Sequence, residues 1–343
     1  VFIILTAICL VIAGLRPCKY RVHATVIGVI SLVVFCSPIV KAYILSGNLK
    51  YTKNLAIGNT GILDGDHLRE PFSALKMFSK APESVKYKTV TYVTYHDTSL
   101  TLDFYPSQIA GNKPCVIVIH GGSWSSGDSQ QLPELNNYLA GKGYHVASIS
   151  YRMAPKHQSP EPLVDVGATI DYLKRNAHQL KIDTANFVLL GRSAGAQIAM
   201  LAAYSMHNPS IKGVIDFYGP ADMVWGYSKP ASKLVMDSRG VMERYLGGTY
   251  KDVPKKYEAS SPIEYVDKQS PPTLIIHGAN DVLVAYEHSI RLDKKLTKNN
   301  IKHYWLQLPW ATHGFDYNLN GPGGQLSTYT VERFLKVVTY KPE

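Results

Sequence analysis

The hydrophobic pattern of the chain changes character twice. Positions 1–15 and 24–40 are uncharged apolar runs, and the second extends to Leu45 across a single Lys41. At 1.5 Å rise per residue the second run covers about 25 Å before that extension, close to the roughly 30 Å of hydrocarbon that a helix must cross. A basic link at 16–23 joins the two runs, which predicts a transmembrane helical hairpin over 1–53. The bland alternatives are a signal-peptide core for the first run and a buried soluble helix for the second. The first residue is Val rather than Met, so further residues are expected ahead of it. A linker follows at 54–86, polar at first, in which Leu68, Phe72, Leu75 and Phe78 recur near helical spacing. That spacing predicts a short helix with one buried face, or one resting on lipid.

From 87 to 343 short runs of β-branched and aromatic residues alternate with helical patterns. The runs at 89–95, 100–105, 115–120, 145–151, 187–190, 214–218, 273–277 and 303–308 predict strands. Helical periodicity at 162–180, 194–206, 284–298 and 325–338 separates most of the later ones. Strand then helix, repeated, predicts an α/β domain: a mostly parallel sheet with helices on both faces, opened by an antiparallel hairpin. The segment 222–268 is too long for a simple crossover and carries Met223, Val224, Trp225, Met236, Met242 and Tyr245, so it reads as an inserted cap over the strand ends.

Composition narrows the class without changing this picture. A chain of 343 residues that is 45% hydrophobic can bury a large core, which excludes a disordered tail or a fibrous protein. The net charge is +10, and six of those charges (Arg16, Lys19, Arg21, Lys41, Lys50 and Lys53) fall in the first 53 residues, which hold no Asp or Glu. The excess therefore brackets the apolar runs instead of marking a nucleic-acid face, and no nucleic-acid partner is expected. Short basic loops stay cytoplasmic, so the link with Arg16, Lys19 and Arg21 predicts that 87–343 lies on the extracytoplasmic side, periplasmic or lumenal. Four cysteines are too few for a disulfide scaffold and are expected as free thiols. No histidine outside the motifs below shows paired spacing with Cys or carboxylates, so neither a metal nor a cofactor is expected.

Three motifs carry candidate chemistry. Gly191-Arg192-Ser193-Ala194-Gly195 is a G-x-S-x-G pattern between a predicted strand and a predicted helix. A serine at such a turn stands above the sheet, and the helix that follows aims its N-terminal amides at charge developing beside it. His120-Gly121-Gly122-Ser123-Trp124 follows another predicted strand, and its glycines let main-chain N–H groups come close to an oxyanion. The candidate oxyanion donors are the amides of Gly121, Gly122, Ser123 and Ala194, with His120 holding the loop. A serine nucleophile needs a base, and the base needs a carboxylate that fixes its tautomer. Asp281 and His313 each lie just beyond a predicted strand, at the same sheet edge as Ser193. Trp124, Met223 and Trp225 are the candidate substrate-contacting side chains.

These motifs, with Tyr151-Arg152-Met153-Ala154-Pro155, Tyr218-Gly219-Pro220-Ala221-Asp222 and His313-Gly314-Phe315, resemble the α/β-hydrolase fold over roughly 87–336. The resemblance is to its esterase and lipase branch, which includes hormone-sensitive lipase-like and feruloyl-esterase-like enzymes. Ser123-Trp124 stands where triglyceride-type loops carry a third glycine, which is closer to isoprenylcysteine methylesterase and kynurenine formamidase; Arg192 is a cationic occupant of a variable position. The resemblance implies a cofactor-free serine carboxylesterase or lipase in which Ser193, Asp281 and His313 follow the nucleophile, acid, base order of the fold. With the predicted anchor, it implies a lipid-borne or otherwise apolar small-molecule ester as substrate and membrane lipids as the contact of the N-terminal helices. An amide or formamide hydrolase, a carbohydrate acetylesterase and a catalytically silent receptor of the same fold are the alternatives.

Overall fold

The computed structural model describes residues 2–15, 21–51, 70–80 and 83–340. All eight predicted strands are present: β1 (Lys88–Thr94), β2 (Ser99–Tyr105), β3 (Lys113–Ile119), β4 (His145–Ile149), β5 (Ile182–Arg192), β6 (Ile211–Phe217), β7 (Thr273–Gly278) and β8 (His303–Leu308). They form one sheet in the order β1-β2-β4-β3-β5-β6-β7-β8. β1 and β2 make the expected antiparallel hairpin, β2 also runs antiparallel to β4, and every later pairing is parallel. The inner strands β3, β5 and β7 carry the apolar runs Cys115–Ile119, Phe187–Leu190 and Leu274–Ile276, because both of their faces are covered there. Alternate β3 residues point to opposite layers, Cys115, Ile117 and Ile119 to one and Val116 and Val118 to the other.

Eleven helices are described: α1 (Phe2–Leu15), α2 (Arg21–Tyr51), α3 (Pro133–Gly141), α4 (Glu161–Arg175), α5 (Ala177–Leu180), α6 (Ala194–Ser205), α7 (Met223–Ser228), α8 (Ser238–Leu246), α9 (Pro254–Ala259), α10 (Glu287–Lys298) and α11 (Pro322–Val338). Side chains of α4, α6 and α10 fill one layer, and those of α3 and α11 fill the other. Helices α7, α8 and α9 lie between β6 and β7, within the segment expected as a cap. Two helical readings change. The pattern over 162–180 divides into α4 and α5 at Asn176. Helix α3 had no strong periodic signal, because Asn136 shares its buried face with Leu135, Leu139 and Ala140.

Of the N-terminal hairpin, α2 alone among the described helices is long and apolar enough to cross a membrane; the same pattern near an N-terminus also fits a signal sequence. α1 is a 14-residue apolar helix that rises only about 21 Å. The two helices meet closely at Gly28, where a Cβ would run into the Leu10 side chain. Arg16, Lys19 and Lys53 lie outside the described residues, as do most of the linker and Leu68. The helix expected around Phe72, Leu75 and Phe78 is instead a single 3₁₀ turn, Leu75–Phe78. Phe72 is buried, whereas Leu75 and Phe78 are 82% and 77% exposed, so the three do not share one face. The segment is held by side-chain amides near the start of α11: Gln325 both donates to the Ser73 carbonyl and accepts its N–H, each at 3.0 Å, and Asn320 donates to Ser79 and Lys80 carbonyls.

α2 has two environments. Its first half exposes Val22, Ile27, Ile30 and Val33, while Ala42, Ser46 and Leu49, spaced along one face, are buried where α2 packs on α11. This division gives a contrast that thermal or denaturant unfolding of the full chain in detergent can read. Leu49→Ala should destabilise by about 2–4 kcal/mol through the cavity it opens. Val33→Ala should stay within about 0.5 kcal/mol. Equal effects from the two substitutions would refute the docking of the second half.

Candidate active site

The strand register brings four loops to one edge. Ile119 pairs with Gly191, Arg192 with Phe217, Phe217 with Ile276, and Gly278 with Leu308, so the loops after β3, β5, β7 and β8 open side by side. Ser193 occupies the turn between β5 and α6 at φ 53° and ψ −120°, a conformation that L residues rarely adopt. Its glycine neighbours explain how the turn fits. A Cβ at Gly191 would strike the backbone of Gly195 and Ala196, and a Cβ at Gly195 would strike the Ile119 and His120 carbonyls of the neighbouring strand end.

Ser193, His313 and Asp281 form one hydrogen-bonded chain. Ser193 Oγ lies 3.1 Å from His313 Nε2, and His313 Nδ1 lies 2.7 Å from Asp281 Oδ2. The other Asp281 oxygen accepts the N–H groups of Leu283 at 2.9 Å and Val284 at 3.0 Å, and His277 Nε2 approaches Oδ2 to 3.2 Å. Burial disfavours the Asp281 carboxylate, but the hydrogen bonds from His277 and His313, the His313 charge and the Val284 amide outweigh it, so its pKa is held well below the usual carboxylate range. The acid therefore stays ionised and His313 keeps its proton on Nδ1, which leaves Nε2 to accept from the serine hydroxyl.

The glycine loop is folded back on itself. Gly122, Ser123 and Trp124 all have positive φ, and Gly122 O accepts the N–H groups of Ser125 and Ser126 at 3.0 Å each. His120 Nδ1 sits 2.7 Å from Gly121 O and its ring stacks on Tyr151, a holding role. One predicted oxyanion donor is corrected. Gly121 N–H donates to Gln131 Oε1 at 2.8 Å and is not free, whereas among the described residues no acceptor engages the N–H of Gly122, Ser123 or Ala194. Trp124 Nε1–H donates to Gln197 Oε1 at 2.9 Å, and Gln197 Nε2 donates to Ser260 O at 2.7 Å, tying loop, α6 and cap segment together.

Ser193 lines a cleft with a cavity volume of about 120 Å³. Ser123, Trp124 and Ala194 form its floor, Met236, Val241 and Met242 come from the cap, and Val282, Leu283, Val284 and His288 close the third side. Met223 and Trp225, expected here, are elsewhere. Asp222 caps α7 by accepting the Trp225 N–H at 2.8 Å, which sets the rotation of that helix. Met223 then points into the core and Trp225 into a separate groove with Tyr250 and Tyr265, so the α7 residue on the cleft is Gly226.

Sequence reasoning missed a buried cluster behind His313. Arg192 Nε donates to Asp316 Oδ2 at 2.6 Å, and Tyr218 OH donates to Asp316 Oδ1 at 2.6 Å. The Tyr218 ring packs against His313 with centroids 4.5 Å apart. Burial and then the Asp316 charge push the Tyr218 phenol well above its ordinary pKa, so it remains a donor. Arg192 precedes the serine and Asp316 follows the histidine by three positions, so this pair joins the two loops. The only sequence signal was the cation in the variable position of the serine motif. Both partners are almost fully buried. Asp316→Ala should therefore cost about 3–5 kcal/mol in urea unfolding, because it leaves the Arg192 charge unpaired in the core. The double change Arg192→Met with Asp316→Leu should cost less than Asp316→Ala alone. A loss under about 1 kcal/mol for Asp316→Ala would show that the pair is not buried as described.

Comparison with known proteins agrees with this architecture. The BD-FAE family model matches residues 102–296, more than half of the chain. Esterase LipC of Mycobacterium tuberculosis is 29% identical over 242 residues, covering 66% of this chain and 58% of LipC. Isoprenylcysteine alpha-carbonyl methylesterase ICME of Arabidopsis thaliana is 32% identical over 113 residues, covering 33% of this chain and 26% of that protein. The chain spans about half the length of the curated relatives it matches. A crystallised esterase of Pyrobaculum calidifontis superposes with a TM-score of 0.64 at 19% identity, over 76% of this chain and 87% of that one, a likeness of fold. With the family model matching from within β2 to within α10, and with a fold similar to that of solved esterases, the chain belongs to the BD-FAE family and has the α/β-hydrolase fold.

Proposed function

We propose that the protein is a membrane-anchored serine carboxylesterase acting on an apolar, lipid-borne ester. The observation that carries this reading is the hydrogen-bonded chain from Ser193 through His313 to Asp281, which opens on a cleft also lined by Ser123 and Ala194. Ser193 Oγ attacks the ester carbonyl carbon while His313 Nε2 takes the hydroxyl proton. The carbonyl oxygen becomes an oxyanion, which the Gly122, Ser123 and Ala194 amides stabilise. The C–O bond to the alcohol breaks, His313 returns the proton to the departing alkoxide, and an acyl-enzyme remains on Ser193. Water then attacks as His313 removes its proton, the acid leaves, and the serine regains its hydrogen. Asp281 stabilises the imidazolium in both halves without taking the proton.

Two features support the apolar substrate. The cleft is lined by Met236, Met242, Val282, Leu283 and Val284, which suits an acyl chain or prenyl-like group. Beside it Val282 is 59% exposed, and Leu234 and Val235 are exposed in the loop just before Met236. α2 supports the anchor, since tethering raises the effective concentration of a membrane-held ester. In this reading the esterase domain lies outside the cytoplasm, by the charge of the basic link.

The test uses the full chain in detergent or bilayers. Ser193→Ala and His313→Ala should each lower ester turnover by several orders of magnitude, and Asp281→Asn by roughly 10⁴-fold, as for other triads. A fluorophosphonate probe should label the native protein and not Ser193→Ala. Labelling of Ser193→Ala equal to native, or full activity in folded His313→Ala, would overturn the assignment. Esters of increasing acyl length should be hydrolysed faster than acetylated sugars; the reverse order would remove the lipid substrate and leave the serine chemistry in place.

A further inference from the structure

One polar group on the cleft wall has no part in the chemistry described above. His288, the second residue of α10, is only 4% exposed yet lines the cleft together with Gly226. Its Nδ1 lies 3.3 Å from the Asp222 main-chain nitrogen, whose N–H can only donate. Nδ1 is therefore the lone-pair nitrogen, and the neutral ring carries its proton on Nε2. Burial, reinforced by the neighbouring His277 and Arg291 charges, pushes the His288 pKa down to about 3, so the ring is neutral at working pH. Among the described residues no oxygen or nitrogen accepts the Nε2–H. The Trp225 ring, perpendicular at 4.9 Å between centroids, fixes the plane of the imidazole. The open edge depends on Gly226: a Cβ there would stand 3.0 Å from Cε1 and 3.1 Å from Nε2 and would cover it.

Nε2 is not among the polar atoms sealed from solvent, so this donor, held in place by the Asp222 and Trp225 contacts on the rest of the ring, can be met by an acceptor entering the cleft. We infer that His288 Nε2–H is a specificity determinant that favours esters carrying a second oxygen acceptor, an ether oxygen or a further ester carbonyl, remote from the carbonyl that Ser193 attacks. Because Nδ1 is engaged by Asp222, the ring offers a donor and nothing else, so an amine or amide N–H at that place gains no partner. This inference rests on the serine-esterase reading and names its substrate class: an oxygenated ester in place of a plain alkyl one.

The experiment is a walk of matched 4-nitrophenyl esters through the full-length protein in detergent. Each pair has equal chain length, one member with an ether oxygen replacing a methylene at successive positions and the other all carbon. Native protein should favour the ether by up to about tenfold in kcat/KM at one position, the factor expected of one neutral hydrogen bond. In His288→Phe that ratio should fall to about one. Gly226→Ala should lower it as well, because its Cβ would press against Cε1 and Nε2 and cover the donor while leaving residue 288 a histidine. His288→Gln, which can still present an N–H, should restore part of it. The ratio is the readout, so a variant with lower absolute activity remains informative, and thermal unfolding reports whether each variant is folded. Ester turnover with no preferred ether position, or a preference unchanged in both His288→Phe and Gly226→Ala, would overturn the inference alone. Absence of turnover together with absence of fluorophosphonate labelling at Ser193 would remove both this inference and the esterase reading.

Discussion

The turn at Ser193 is the constraint on which the rest of the structure depends. A non-glycine residue held at φ 53° and ψ −120° costs on the order of 1–3 kcal/mol, and such a conformation persists only where its surroundings over-determine it. Here β5 enters from below with Gly191 against the first turn of α6, and α6 leaves with Gly195 against the end of β3. Neither close approach tolerates a side chain. The reward is geometric: the serine oxygen stands above the sheet, and the first amides of a buried helix point at the same space. The parallel register then decides which other loops reach that space, and those are the loops after β3, β7 and β8.

Holding a histidine at the serine is a separate problem, because its loop is anchored at only one end by the sheet. Two buried ion-bearing groups solve it from opposite sides. Asp281 receives two main-chain N–H groups and the imidazole, so the carboxylate is fixed before His313 meets it. Asp316 binds Arg192 and Tyr218, and Tyr218 presses on the other side of the imidazole. Gly323 and Gly324 complete the support: Cβ atoms there would collide with Phe315 and Leu319, so the start of α11 can lie directly against the histidine loop. Arg192 thus couples the serine turn to the histidine loop across a distance of one side chain.

Much of this was legible in the sequence because the signals are short-range. Continuous apolar runs bounded by Gly, Pro and Asn mark strands buried on both faces, and a serine between small residues at a strand–helix junction marks the turn. The missed features depend on partners distant in the chain. Whether the Gly121 amide is free depends on Gln131 folding back, and no local pattern around Gly121 announces it. Met223 and Trp225 read as pocket residues by hydrophobicity, but the cap that Asp222 provides for α7 turns them elsewhere and presents Gly226. The spacing of Phe72, Leu75 and Phe78 suggested one helical face; hydrogen bonds from Gln325 and Asn320, some 250 residues on, fix a tight turn that splits them. His288 had no motif at all, and its role follows only from the tautomer that the Asp222 amide imposes.

The N-terminal helix shows how one local defect is reconciled with a change of environment. α2 contains Pro38, which has no N–H and so leaves the Val34 carbonyl without its usual partner. In water that carbonyl would be solvated, but in hydrocarbon it would be costly. Ser37, next to the proline, donates its Oγ–H to Val34 O at 3.0 Å and supplies the missing bond. Lys41 follows, exposed, and the buried face of Ala42, Ser46 and Leu49 begins immediately after it. At about 46 Å, the 31-residue helix exceeds the roughly 30 Å of bilayer hydrocarbon, and its surplus of about 16 Å matches the last third, which carries the face buried on α11. On the membrane-anchored reading, a serine-patched proline and a lysine therefore mark where lipid ends and the hydrolase body begins. On the same reading, because the helix continues without a break through that point and packs on α11, that packing would set the body beside the membrane.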